Sequence, residues 1–234
     1  MIKMVLFDLD GTLLPMNQED FKKMYFEGLG KKLSPHGYEA MDVVNAVMKG
    51  VVAMIKNDGS KKNEAAFWEK FCELLGDDVK KHVGLFDEYY RNEFQLIKNM
   101  WQPNLKSKQV IELVKSKGLR VALATSPLFP KIATESRIRW AGLEPENFEI
   151  YTTYEDYSFC KPNLGYYKEV LKNLGVKGEE CLMVGNDVFE DMVATELGMK
   201  VFLLKDCLIN SKDLDYSSYP QGDFDDLMEY IRAL

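Results

Sequence analysis

The chain has 234 residues, enough for one large domain or a core with an insert, and its 46% hydrophobic and 29% charged content is ordinary for a globular protein. The net charge of −7, from 30 basic and 37 acidic residues, gives no electrostatic reason to expect nucleic acid or an anionic membrane as partner; no run approaches the ~18 apolar residues that cross a bilayer, and no apolar leader ends in a small-residue cleavage site, so a reducing cytoplasm is the expected compartment. Cys72, Cys160, Cys181 and Cys207 are scattered without a Cys-x-x-Cys, and His36 and His82 are the only histidines, so buried thiols are expected rather than a zinc site or disulfides.

Ile2, Met4, Val5, Leu6 and Phe7 predict a short buried strand. It delivers Asp8 and Asp10, then Gly11, a residue that lets the backbone turn sharply. In an open parallel α/β sheet, ligands sit beyond the carboxyl ends of the strands. Two acids held close at that dry rim repel each other unless a divalent cation, a proton on one of them, or both offset the repulsion. Alone, Asp-x-Asp-Gly also fits a surface turn.

From about Gln18 to Asn99 no strand is predicted. Helices are expected over Asp20–Leu29, Tyr38–Lys56, Asn63–Leu75 and Val79–Lys98, separated by Gly-, Pro- and Asn-rich punctuation. In the second, Ala40, Val43, Val44, Val47, Val51 and Met54 recur at three- and four-residue steps. This is an all-helical module inserted after the first strand, with Tyr25, Phe67, Trp68, Phe71 and Phe94 among the aromatics of its core.

After Pro103 strand and helix alternate, the signature of a parallel sheet. Asn104 caps a helix running to Lys117, and Gly118 closes it. Strands are expected over Leu119–Ala124, Glu149–Thr153, Glu180–Gly185 and Lys200–Leu204. Helices are expected over Pro130–Ala141, Pro162–Leu174, Val188–Leu197 and Phe224–Ala233.

The strand ends share a chemistry. The first ends in Asp8 and Asp10, the second in Thr125 and Ser126, the fourth in Gly185-Asn186-Asp187, and Lys161 opens the helix after the third. Parallel strands place these groups on one side, and the mixture suits a doubly charged phosphate beside a metal. Singly, each has a plainer reading: Thr125 satisfying a strand-end amide, Lys161 solvated before Pro162, and Asp187 capping a helix with Glu190.

Taken in order, Asp8-Leu9-Asp10-Gly11-Thr12, Thr125 after Val121–Ala124, Lys161-Pro162, and Gly185-Asn186-Asp187 with Asp191 beyond resemble the motifs of the haloacid dehalogenase superfamily. The resemblance implies an α/β, Rossmann-like doubly wound parallel sheet, formed by residues 1–15 and 104–234, with residues 16–103 as an inserted helical cap of the first type. It implies Asp8 as nucleophile, giving an aspartyl-phosphate, and Asp10 as the general acid and then base. Thr125, Ser126 and Lys161 would bind the phosphate, and Asp8, Asp10 through its backbone carbonyl, Asn186 and Asp187 would hold Mg²⁺, with Asp191 in an outer layer.

Two residues depart from the pattern: Asn186 stands where an aspartate is common, and Ser126 where an asparagine often follows the hydroxyl residue. Asp10 favours phosphate chemistry over dehalogenation, which needs no second acid. Phosphonate cleavage would call for a reactive cap lysine, and nothing singles out Lys22, Lys23 or Lys49. The expectation is a Mg²⁺-dependent phosphatase acting on a small phosphorylated metabolite. A sugar phosphomutase is the nearest rival, and a non-catalytic phospho-accepting or binding domain a remote one.

Overall fold

The computed structural model describes residues 1–234. One parallel sheet runs in the order β2-β1-β3-β4-β5, built from β1 (Met4–Phe7), β2 (Arg120–Leu123), β3 (Cys181–Gly185), β4 (Lys200–Leu204) and β5 (Gln221–Gly222). β1 is buried on both faces, as central strands of parallel sheets are. Its side chains alternate between two cores: Val5 and Phe7 join Val121, Leu123, Leu182 and Val184, while Met4 and Leu6 join Ala122, Ala124 and Met183.

Helices α5 (Leu105–Ser116), α6 (Lys131–Trp140) and α8 (Phe224–Arg232) contribute Val110, Ile138 and Leu227 to the first core. Helix α7 (Leu164–Leu174) contributes Tyr166, Tyr167 and Val170 to the second. The sheet is therefore doubly wound. The chain moves from β1 outward to β2 and returns to β3 on β1's other side, so the topological switch point, where such folds bind ligands, lies at the end of β1.

Between β1 and β2 lies an inserted helical cap: α1 (Gln18–Leu33), α2 (Ala40–Ile55), α3 (Asn63–Leu75) and α4 (Val83–Arg91). Asn17 caps α1, its side chain accepting from the N–H groups of Glu19 and Asp20 at 2.9 and 3.1 Å. Helices α2 and α3 approach closely at Gly50, where a Cβ would lie 2.6 Å from the Phe67 ring. The cap core is aromatic as expected, with Tyr25, Phe67, Phe71, Tyr89, Tyr90 and Phe94 buried. It is continuous with the first sheet core: Phe94 meets Trp140 at 4.8 Å between centroids, and Phe21 meets Phe129 at 5.8 Å. The start of α3 is tied to the core as well, Asn63 and Glu64 donating backbone N–H to the carbonyls of Tyr157 and Tyr154.

Several expectations are corrected. Val79–Lys98 is not one helix: 3₁₀ turns flank α4, and the chain breaks at Asn92, whose amide side chain and N–H both bond back to the Glu88 carbonyl. Glu149–Thr153 is not a strand. It runs beside β2 with three backbone hydrogen bonds, Glu149 N–H to Val121, Leu123 N–H to Ile150 and Thr152 N–H to Leu123, but forms only one bridge, at Tyr151, before the Thr152 hydroxyl turns to the Thr125 carbonyl. The fifth strand is instead Gln221–Gly222, too short and too poor in β-formers to show an alternating pattern. Val188–Leu197 is a turn followed by 3₁₀ residues Met192–Leu197. Lys161 does not open a helix: α7 begins at Leu164, capped by Asn163. No helix is long and apolar enough to cross a membrane.

Candidate active site

The residues after β1 form a tight loop. Gly11 has φ +89°, Thr12 N–H donates to the Leu9 carbonyl, and Leu14 N–H returns to the same carbonyl. A side chain at Gly11 would collide with the Asn186 amide, so the loops after β1 and β3 meet only because this position is glycine. The Thr12 hydroxyl completes the junction, donating to Asn186 Oδ1 at 2.9 Å, while Asn186 Nδ2 donates to the Cys207 carbonyl at 2.7 Å.

Asp8, buried at the end of β1, accepts from Lys161 Nζ through Oδ1 at 2.8 Å, and its Oδ2 has only a long contact of 3.4 Å from the Thr12 hydroxyl. Lys161 is 2% exposed and also donates to Asp191 Oδ1 at 2.6 Å. Burial alone would lower the Lys161 ammonium's pKa, but Asp191 and Asp8 override it and hold the group well above its ordinary value. Both oxygens of Asp191 are engaged, the second accepting from the Asp187 N–H at 2.9 Å. That inward fold of Asp191 accompanies the missing helix after Asp187. Asp187 Oδ1 accepts from the N–H groups of Phe189 and Glu190, but this holds a turn and not a helix, and Asp191 rather than Glu190 reaches the Asp187 N–H, so the capping pair read from the sequence is not formed. Thr125 is buried, its carbonyl held by the Tyr166 hydroxyl at 2.9 Å, and with Ser126 it lines the same cleft as Asp8 and Asp10.

Asp10 brings in a residue the sequence reading missed. Its Oδ2 is ion-paired with the Arg137 guanidinium on α6, and its Oδ1 is buried without a hydrogen-bond partner. Arg137 is 1% exposed and lies over the Phe129 ring at 4.3 Å from the centroid. Burial raises the Asp10 carboxyl, Arg137 opposes the rise, and Asp8 adds to it. The available signal was spacing: Arg137 stands four residues from both Ala133 and Ala141, on the buried stripe of α6. An arginine there needs an acid.

The donor set suits a hard cation. Asp8, Asp10, Asp187, Glu190 and Asp191 line one cleft, against the buried cations Lys161 and Arg137, and one Asp10 oxygen lacks a partner. Burial, reinforced by Asp191, Asp187 and Asp8 and opposed by Lys161, raises the Glu190 carboxyl to about 8. No closed cage of three or more acid, histidine or cysteine side chains is present, and Mg²⁺ needs none, since one or two carboxylates with carbonyls, substrate and water suffice.

Residues 2–196 match the profile of the haloacid dehalogenase-like hydrolases. The glyceraldehyde 3-phosphate phosphatase of Methanocaldococcus jannaschii is 30% identical over 249 aligned positions, covering 100% of this chain and 99% of that protein. The pyrophosphatase PpaX of Bacillus cereus is 24% identical, covering 85% of this chain and 81% of that one. Among solved structures, a HAD phosphatase from Thermococcus onnurineus superposes with a TM-score of 0.62 at 21% identity, covering 98% of both chains. The chain belongs to the haloacid dehalogenase-like hydrolase family.

Proposed function

We infer that the protein is a Mg²⁺-dependent phosphatase that hydrolyses a small phosphorylated metabolite through an aspartyl-phosphate on Asp8. The observation that carries this reading is the buried Lys161–Asp8 ion pair at the switch point, with Asp10 beside it in the same cleft. The phosphatases among its relatives support the reaction class.

Lys161 occupies Asp8 Oδ1 while Oδ2 keeps only the 3.4 Å contact from Thr12, so Oδ2 is the attacking atom. As the Asp8 oxygen bonds to phosphorus, the ester P–O bond breaks and its electron pair goes to the leaving oxygen. Asp10 gives that oxygen a proton from its raised carboxyl, which Arg137 fixes through Oδ2. The Asp10 carboxylate then takes a proton from water as the water oxygen attacks phosphorus and releases Asp8. Thr125 and Ser126 donate to phosphoryl oxygens, and Lys161 offsets the repulsion between Asp8 and the incoming dianion. Asp8, the Asp10 carbonyl, Asn186 and Asp187 would hold Mg²⁺, which when bound supplies positive charge that orients the phosphoryl oxygens. Asp191, with both oxygens engaged, positions Lys161 and the Asp187 backbone. Residues 16–103 act as the cap over this cleft, on a core of residues 1–15 and 104–234.

Two assays test the reading. Asp8→Asn is expected to cut turnover of a phosphate monoester by about 10⁴-fold or more, and chelation of divalent cations to abolish turnover until Mg²⁺ is restored. Unchanged turnover in Asp8→Asn removes the nucleophile assignment, and full activity in chelator removes the metal.

A further inference from the structure

We propose that the alcohol released by this enzyme has a sizeable apolar or aromatic body and no second anionic group, a substrate class that rests on the phosphatase reading above. The whole cleft, Asp8 and Thr125 included, has a volume of about 1410 Å³, larger than the ~300–1,000 Å³ of usual small-ligand pockets. A triose phosphate would fill a small part of it.

The walls are apolar from both sides. Phe26, Val51 and Trp68 of the cap and Leu128, Phe129 and Tyr154 of the core all line it, and all six are only partly buried, so apolar surface remains open to a ligand. The deeper aromatic wall has its polar atoms engaged with one another. Tyr25 and Tyr90 share a 2.9 Å hydroxyl–hydroxyl bond, leaving little for a polyhydroxylated leaving group to bind.

The charges point the same way. The two buried cations are committed, Lys161 between Asp8 and Asp191, and Arg137 to Asp10. Lys22, Arg91 and Lys131, which also line the cleft, are exposed, and Lys22 is paired with Glu19 at 2.8 Å. Glu64 and Glu155 line the cleft too. A second phosphate or carboxylate on the leaving group would meet acids and no buried cation able to pair with it. An apolar body would gain up to about four-fold in kcat/KM per methylene it buries.

The test is kcat/KM, with Mg²⁺, for n-alkyl monophosphates from ethyl to octyl, whose leaving alcohols differ little in acidity. 2-Phenylethyl phosphate, glyceraldehyde 3-phosphate and a sugar bisphosphate are assayed beside them. The expected result is a rise of roughly two- to four-fold per methylene, with 2-phenylethyl phosphate about ten-fold or more above glyceraldehyde 3-phosphate and the bisphosphate poorest. A flat alkyl series, or a preference for the triose phosphate or the bisphosphate, overturns the proposal while leaving the phosphatase reading standing. No turnover on any ester overturns both.

Trp68→Ala and Val51→Glu supply the second arm, read as the octyl-to-ethyl ratio within each preparation, which does not depend on the folded fraction. Each is expected to lower that ratio by about ten-fold. An unchanged ratio in both variants contradicts the apolar wall's role.

Discussion

The core and the cap bury different things. In the sheet core, charge is buried and paired: Lys161 between two aspartates, Arg137 against Asp10, and Asn186 between Thr12 and the Cys207 carbonyl. In the cap, the buried polar residues are Asn57 and Asn63, which bond each other at the connection between α2 and α3, and the rest is aromatic and aliphatic bulk. Buried charge is kept where its geometry performs a task, since apolar packing of similar volume would serve stability as well. The core therefore holds the chemistry at fixed positions, and the cap supplies volume and surface.

Breaking a core charge pair should cost both activity and stability. Lys161→Met leaves Asp8 and Asp191 buried without their cation, and is expected to destabilise the fold by about 3–5 kcal/mol in denaturant melts and to lower turnover by about 10³-fold. A variant with native stability and native turnover would remove the distinction between the two regions.

Arg137→Met should lower turnover of alkyl phosphates by about 10²-fold, with a smaller loss on aryl phosphates, whose leaving groups need less protonation. Arg137→Lys should recover part of the loss. The pH profile adds a signed test. Asp10 must be protonated for the first step, so turnover falls as pH rises through its raised pKa, and removing the opposing arginine moves that alkaline limb upward. An equal loss on alkyl and aryl esters, with an unmoved limb, reduces Arg137 to a packing residue.

The smallest effect on chemistry belongs to the cap. Phe71→Ala is expected to cost about 3–5 kcal/mol of stability, because the ring is fully buried among Phe67, Trp68 and Phe86. The rate of phosphoryl transfer to Asp8 in the folded fraction should change by less than about ten-fold, measured by quenched flow. A larger loss of chemistry than of stability would place catalytic geometry in the cap.

The core was legible in the sequence because its signals are local. A short apolar run ending in acids marks a central strand, and strand ends in a parallel sheet converge whatever lies between them. That reasoning expected Asp8, Asp10, Thr125 and Asn186 together, and the structure lines one cleft with them; Lys161 reaches Asp8 although the strand and helix expected around it are not as read. Arg137 was not expected, because its partner lies 127 residues away and only helical spacing hinted at burial. The strand expected at Glu149–Thr153 is realised only in part: the segment hydrogen-bonds to β2 from Glu149 to Thr152 but closes a single bridge before it turns away, because β-structure is decided by neighbours. The capping pair of Asp187 with Glu190 that competed with the metal reading did not form, since the chain after Asp187 turns instead of entering a helix and Asp187 Oδ1 holds that turn. In the cap, periodicity located α2 and α3, but which aromatics face the cleft depends on packing between helices, which no single stretch records.

The most direct measurement is the identity of the phosphorylated residue. Asp10→Asn, mixed with an aryl phosphate whose leaving group needs no acid, should form the Asp8 acyl phosphate and fail to hydrolyse it. Acid quench, under which an acyl phosphate survives, and peptide mapping are then expected to find one phosphoryl group on the peptide containing Asp8. Label on any other residue, or none while the first equivalent of phenol is released, would contradict the account.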